Sequence, residues 1–223
     1  VRIARRLFES LPEKGQPVVN WLPFFWQGFE QTTRYTYVLP DISDHEKVWD
    51  GFLENIRREI KKAERQVNVR SDLGLDRFLE VNEKTFARQG MRLPYSPELV
   101  RRIDSACGDE NRRIFFAEDT AERIHAAIFI VWDERSAYYL MGGGDPELRN
   151  SGATSLLMWE AIKFASTVTR RFDFEGTMVE PIERFFRAFG GNQMPYFHVT
   201  KATPLFRAVR GMRRGMRCLL RGV

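Results

Sequence analysis

Apolar and polar positions along the chain alternate between helix and strand spacings. Val48, Phe52, Ile56, Ile60 and Ala63 recur with the 3.6-residue period of an amphipathic helix. Ser43 and Glu46 have the spacing of a capping box that would open it. A second helix is expected over 75–89, with Leu75, Phe78, Leu79, Asn82 and Phe86 in register and Gly90 as its stop. After the loop 90–95, Ser96-Pro97 reads as a cap followed by proline at the first helical position. Strands are expected over 35–39, 113–118, 124–132, 137–141, 171–175 and 196–200. The run 124–132 is apolar at almost every position, so it should be covered on both faces. The helix signal over 152–168 is apolar nearly all round and should be largely buried. A short helix from Pro181 should turn Ile182, Phe185, Phe186 and Phe189 inward, and Gly190-Gly191 should end it.

The centre of this pattern is the junction 141–155. A strand ends at Gly142, Gly143 and Gly144, and a polar turn then opens a helix at Ser151 or Gly152. The first amides of a helix are unpaired and sit at the positive end of its dipole, so such a turn can cradle a phosphate or pyrophosphate. Gly152 would let a ligand approach, Arg149 adds a cation, and Thr154 and Ser155 offer hydroxyls. The glycine triplet would leave bare main chain for an extended ligand. An ordinary loop with a cap reads the same way.

On the strand 171–175, Asp173 and Glu175 should share one face, where two carboxylates can raise each other's pKa toward values useful to a general base. The other reading is that Asp173 caps a turn or pairs with Arg184. Arg88, Gln89, Arg92 and Tyr95 flank or lie in an inter-helix loop, a usual place for acceptor contacts. His45, His125 and His198 have no metal-ligand spacing, and no metal is expected.

Composition narrows the class. The chain has 223 residues, 43% of them hydrophobic, enough for one good core and part of a second module. A net charge of +5 points to an anionic partner. Cys107 and Cys218 are the only cysteines, which fits a reducing cytoplasm better than a disulfide framework. No apolar run approaches the roughly 20 residues of a membrane span. In 204–223 an apolar line, Leu205, Val209, Met212, Met216 and Leu219, is crowded by arginines, a pattern suited to an anionic membrane or RNA, or to a docked terminal helix.

Arg149-Asn150-Ser151-Gly152-Ala153-Thr154 resembles the acyl-CoA pyrophosphate loop of the GNAT acyltransferases, with Thr154 departing at the last position. Phe172-Asp173-Phe174-Glu175-Gly176, the run from Ile182 to Gly191, Arg34-Tyr35-Thr36-Tyr37 and 57–63 are similar to the FemAB-like branch of that superfamily. The resemblance covers about 24–201. It implies an α/β (α+β) fold, a mixed and mostly antiparallel sheet flanked by helices. It also implies a remnant of a first GNAT-like module in 1–33, an acyltransferase domain over 34–203 and a basic terminal segment over 204–223.

The implied activity is acyl transfer from acyl-CoA to an amine rather than a hydroxyl, in envelope or polysaccharide biosynthesis. The implied site has Glu175, Asp173 and Tyr139 in the chemistry. Gly142, Gly143 and 149–155 (Arg149, Asn150, Ser151, Gly152, Ala153, Thr154, Ser155) would hold the donor, and Arg88, Gln89, Arg184 and Arg58 the acceptor. Two departures stand out: the helix expected to present a tyrosine that protonates the leaving thiolate offers Phe185, Phe186 and Phe189, and where peptidoglycan-bridge enzymes usually read Phe-Lys-x-x-Phe-Gly this chain has Phe185-Phe186-Arg187-Ala188-Phe189-Gly190, without the lysine. The alternatives are an aminoacyl-tRNA-dependent transferase acting on a peptidoglycan precursor, and a non-catalytic module binding an anionic ligand or membrane. The expected location is cytoplasmic, with peripheral membrane contact through 204–223.

Overall fold

The computed structural model describes residues 20–88, 90, 93 and 95–201. The basic segment 204–223 lies outside them, as do Gln89 and Arg92. The chain divides into two compact units, 35–194 and a smaller one of 1–34 with 195–223. In the smaller unit α1 (Leu22–Trp26) opens with Pro23, and Phe24 meets Phe29 edge-on at 5.7 Å.

Strands β1 (Glu30–Leu39), β2 (Asn68–Arg70), β3 (Arg112–Glu118), β4 (Ile124–Trp132), β5 (Ala137–Gly144), β6 (Phe172–Asp173) and β7 (Asn192–Thr200) form one sheet in the order β2-β3-β4-β5-β6-β1-β7. β1 with β6, β2 with β3, β3 with β4 and β4 with β5 are antiparallel, whereas β5 with β6 is parallel for two residue pairs, Ala137 with Phe172 and Tyr138 with Asp173. The expected mixed, mostly antiparallel sheet is therefore present.

Helices cover both faces. On one, α2 (His45–Asp50), α3 (Glu54–Ala63), α6 (Ala153–Ala165) and α7 (Glu180–Arg187) enclose a core that includes Ile128, Leu157, Phe172 and Phe174. Phe52, in the turn between α2 and α3, meets Trp159 of α6 at 5.3 Å and Phe189, just past α7, at 5.0 Å, both edge-on, the geometry that aromatic quadrupoles favour. On the other face α4 (Gly74–Arg88) and α5 (Pro97–Cys107) cover Ile114, Phe116, Phe129 and Val131. β4 is buried from Ile124 to Val131, as its unbroken apolar run requires.

Several boundaries depart from the pattern. The long helix over 48–63 is two, broken at Gly51, although Val48, Phe52, Ile56, Ile60 and Ala63 are all buried. Asp44 is the cap of α2, accepting from Lys47 N at 3.1 Å, while Ser43 is held by Asp41. Ser96 does cap α5, accepting from Leu99 N at 3.2 Å. Ile182 is 44% exposed rather than inward, whereas Phe186 and Phe189 are buried. The glycine triplet does not end β5 but belongs to it, with Gly142, Gly143 and Gly144 paired to Ile128, Ala127 and Ala126. The strand at 171–175 stops at Asp173, so Glu175 is past the strand and does not share its face with Asp173.

Candidate active site

The parallel pair β5 and β6 parts after Tyr138 and Asp173, and the two chains then diverge into a fork. Three features set its geometry. A register shift between Phe129 and Ile130 of β4 leaves Leu140 of β5 without an opposite residue, and such a bulge bends the strand locally. Gly142 and Gly144 bring their main chain to α4: Asn82 Nδ2 donates to Gly142 O at 3.0 Å, and Thr85 Oγ1 accepts from Gly144 N at 2.8 Å and donates to Gly144 O at 3.1 Å. Because Thr85 engages both polar groups of Gly144, it stands where a neighbouring strand would. The third feature is the turn after β6, where Glu175 and Gly176 both adopt positive φ, 62° and 64°.

The glycines of this strand end admit protein rather than leave a bare edge. A Cβ on Gly143 would lie 2.8 Å from both Asn82 Cα and Thr85 Oγ1, and one on Gly142 would overlap the Tyr139 hydroxyl. Asn82 is fully buried and also accepts from Tyr95 Oη at 2.8 Å, so one amide joins α4, the loop before α5 and the strand end. Its place on the apolar face of α4 was the one signal of this role in the sequence: a polar side chain on a buried face needs a buried partner.

Tyr139 is the first residue of β5 beyond the last pair with β6. Its ring meets Phe186 of α7 at 5.6 Å, and burial raises its hydroxyl pKa above the ordinary tyrosine value, so the phenol keeps its proton at neutral pH. The phenylalanines of α7 thus place a tyrosine instead of replacing it. Tyr138, by contrast, directs its hydroxyl to Asp133 at 3.3 Å.

Asp173 is 2% exposed; it accepts from Thr36 Oγ1 at 2.5 Å and from Glu175 N at 2.8 Å. It fixes the turn that carries Glu175, and Glu175 is half-buried beside the fork. A non-glycine residue at positive φ is strained by about 1 to 3 kcal/mol, and such strain gathers at functional turns. Close by, Tyr37 Oη bonds Glu183 Oε1 at 2.5 Å and accepts from Gln193 Nε2 at 3.1 Å. Burial and Glu183 raise the Tyr37 pKa.

The loop before α6 has a different character. Arg149, Asn150 and Thr154 are exposed, but Ser151, Gly152, Ala153 and Ser155 are buried. Gly152, at φ 81°, packs against α3: a Cβ there would overlap the Glu59 carbonyl oxygen and lie 3.0 Å from Glu59 Oε2. Lys62 of α3 donates to Asn150 O. Glu59 of α3 thus fills the space on the Cβ side of Gly152.

The remaining candidates are scattered. Arg184 pairs with Glu180 on the exposed side of α7. Arg58 is exposed on α3, on a groove of about 470 Å³ that also includes Arg57, Lys61, Lys62 and Arg65. Arg88 is the last residue of α4. A groove of about 730 Å³ between α4 and α5 carries Asp76, Glu80 and Glu83, and its lining shares no residue with the fork or with the loop before α6. Among the described residues no group of three or more His, Cys, Asp or Glu could hold a metal, and no helix is long and apolar enough to cross a membrane.

A forked sheet with a bulged strand, a following helix and a carboxylate-bearing turn defines an acyltransferase-like α/β domain. Residues 51–187 match the model of the acetyltransferase (GNAT) domain, and the chain belongs to that family. Similar solved structures include FemX, with TM-score 0.65 and 14% identity over 79% of this chain and 65% of that one. Another is the C-terminal domain of a protein provisionally described as a lysylphosphatidylglycerol synthetase from Agrobacterium fabrum, with TM-score 0.59 and 11% identity over 82% and 65%. A third is L-PGS from Bacillus licheniformis, with TM-score 0.56 and 10% identity over 83% and 67%. The chain spans just under two thirds of the length of the first two, and at such identities the likeness is one of fold. No curated protein matches the chain by sequence. The reaction class that goes with the family is acyl or aminoacyl transfer.

Proposed function

We propose that this chain transfers an acyl or aminoacyl group to an amine at the fork between β5 and β6. The observation that carries the reading is the end of strand pairing at Tyr138 and Asp173, with Tyr139 and Glu175 the polar side chains that follow on either prong. The amine nitrogen attacks the donor carbonyl carbon to form the new C–N bond, and Glu175 takes its proton. Collapse of the tetrahedral intermediate breaks the bond to the leaving thiolate or alkoxide, which the Tyr139 hydroxyl protonates; the Glu175 proton then restores the phenol through solvent. Asp173 is a positioning residue that holds the Glu175 turn. A carboxylate that can also bind an ammonium favours an N-acceptor over a hydroxyl.

Acyl-CoA is the donor that family membership suggests. A second reading, an aminoacyl ester on tRNA passed to a peptidoglycan precursor, is supported by the covered loop before α6 and the basic groove of α3. It predicts retention of charged tRNA with a steep salt dependence. An envelope precursor as acceptor, 34–203 as the acyltransferase domain and work on the cytoplasmic side of a membrane are the parts of this proposal that rest on the resemblance in sequence to the FemAB-like branch. Arg58 and its neighbours on α3 are the side chains offered to an anionic acceptor, with Arg88, Gln89 and Arg184 as further candidates.

A donor panel of acyl-CoAs and charged tRNAs against amine acceptors tests the reaction. Glu175→Gln and Tyr139→Phe should each lower kcat by about 100-fold or more, with KM and the melting temperature little changed. Transfer that survives both substitutions at wild-type rate would place the chemistry elsewhere.

A further inference from the structure

We infer that Gly142 is a positioning residue for Tyr139: the phenol keeps its place beside the fork because the strand position it crosses carries no side chain and is held still by α4. The chemistry given to Tyr139 rests on the reading above; that Gly142 sets where the phenol lies stands on the geometry of β5.

Strict alternation would put Tyr139 and Gly142, three positions apart, on opposite faces of the sheet. The extra residue Leu140 reverses that parity. Tyr139 lies opposite Ile130 and Gly142 opposite Ile128, two residues of β4 that share one core, whereas Phe129, opposite Met141, belongs to the core on the other face. Bulge and glycine therefore act together. The ring runs along the strand, its hydroxyl stands where a Cβ of Gly142 would be, and its Cζ is 3.1 Å from that point.

Packing fixes this phenol. Among the described residues none hydrogen-bonds its hydroxyl, and the ring rests on Phe186 at 5.6 Å. A side chain held in this way swings to another rotamer when a neighbour presses on it. The main chain beneath it is tied more firmly. Gly142 is paired with Ile128, its carbonyl accepts from Asn82 Nδ2 at 3.0 Å, and the fully buried Asn82 in turn accepts from Tyr95 Oη at 2.8 Å. A methyl at 142 would also meet Ala127 O at 3.2 Å, so the phenol is the part that gives way. A displacement of about 1 Å in a proton donor is enough to cost about 100-fold in rate.

The test is Gly142→Ala in the full chain, alone and combined with Tyr139→Phe, with thermal melts to confirm folding. Alone it should lower kcat by about 100-fold, as Tyr139→Phe does, and leave KM within about threefold. The double variant should fall less than about threefold below either single one, because both changes take the same group from the same place. Carbon NMR of tyrosine-labelled protein, with Tyr139 assigned by its loss in Tyr139→Phe, supplies a readout that a purely structural glycine would not move. In wild type, burial holds the Tyr139 phenol above the ordinary tyrosine range, and in Gly142→Ala it should ionise roughly one pH unit or more lower. Wild-type kcat in Gly142→Ala, losses that multiply in the double variant, or an unmoved titration overturns the inference. Should Gly142→Ala alone fail to fold, the double variant must fold, since the overlapping oxygen is gone; a double variant that also fails overturns it. If wild type transfers from no donor, the acyl-transfer reading fails while the titration still decides for Gly142.

Discussion

Two glycine-bearing segments of this chain look alike in sequence and differ in structure. At the fork, Gly142 and Gly143 let a tyrosine ring and a helix approach the strand, and the contacts there are made chiefly by side chains: Asn82, Thr85 and Tyr139. At the loop before α6, Gly152 lets the main chain of α3 approach, and the contact there is with the Glu59 peptide group. A glycine before a helix reports that something comes close to the backbone. It does not report whether that something is a ligand.

The difference can be broken at its strongest point first. Gly152→Ala combines a positive φ with an overlap against Glu59 main chain, so it should cost about 2 to 6 kcal/mol in denaturant unfolding. Gly143→Ala, which meets Asn82 Cα and Thr85 Oγ1 at 2.8 Å, should cost only about 1 to 3 kcal/mol. The reverse order would show that α3 does not clamp the loop. Asn82→Ala deprives the Tyr95 hydroxyl and Gly142 O of their partner and should cost about 1 to 3 kcal/mol. Amide exchange near Gly142 should quicken in that variant while exchange in the 149–155 loop stays as it is.

Glu175→Gly should move stability the other way, raising it by about 1 kcal/mol through relief of the positive φ while transfer is lost. A destabilised Glu175→Gly would mean the carboxylate is there for the fold.

The smallest effect lies away from both segments. Asp119 accepts from Ala121 N, Arg123 N, Arg123 Nε and His125 Nε2, and Arg123 above all holds its pKa well below the ordinary carboxylate value. A lowered folded pKa contributes stability above the unfolded value of about 3.9, lost as pH falls toward the folded one. The melting-temperature gap between wild type and Asp119→Asn should be constant from neutral pH to about 5 and shrink below about 4. A gap that persists at the acid end would assign the stability to packing.

Much of this architecture could be read before any coordinates. Periodicity found the buried faces of α3, α4 and α6, and the unbroken apolar run of β4 foretold cover on both faces. Local chemistry was less legible where a distant segment decides. Three successive glycines are a stop signal alone, yet α4 gives them the partners that keep 142–144 in the sheet. Alternation put Asp173 and Glu175 on one face, but the other reading, that Asp173 caps a turn, is the one realised, and the positive φ of Glu175 that goes with it carries no signal in strand alternation. β2, three residues long, carries too few positions for a period. Asn82 was visible in register, but its bonds to Tyr95 and Gly142 span loops whose closure no pattern encodes.

Gly176 has one more implication. A Cβ there would overlap Tyr35 O and reach 2.6 Å from Thr36 Cα, both atoms of a neighbouring strand. In a saturation library sorted for folded protein without any assay of transfer, that codon should come back almost monomorphic, marking the spot where two stretches of peptide press together.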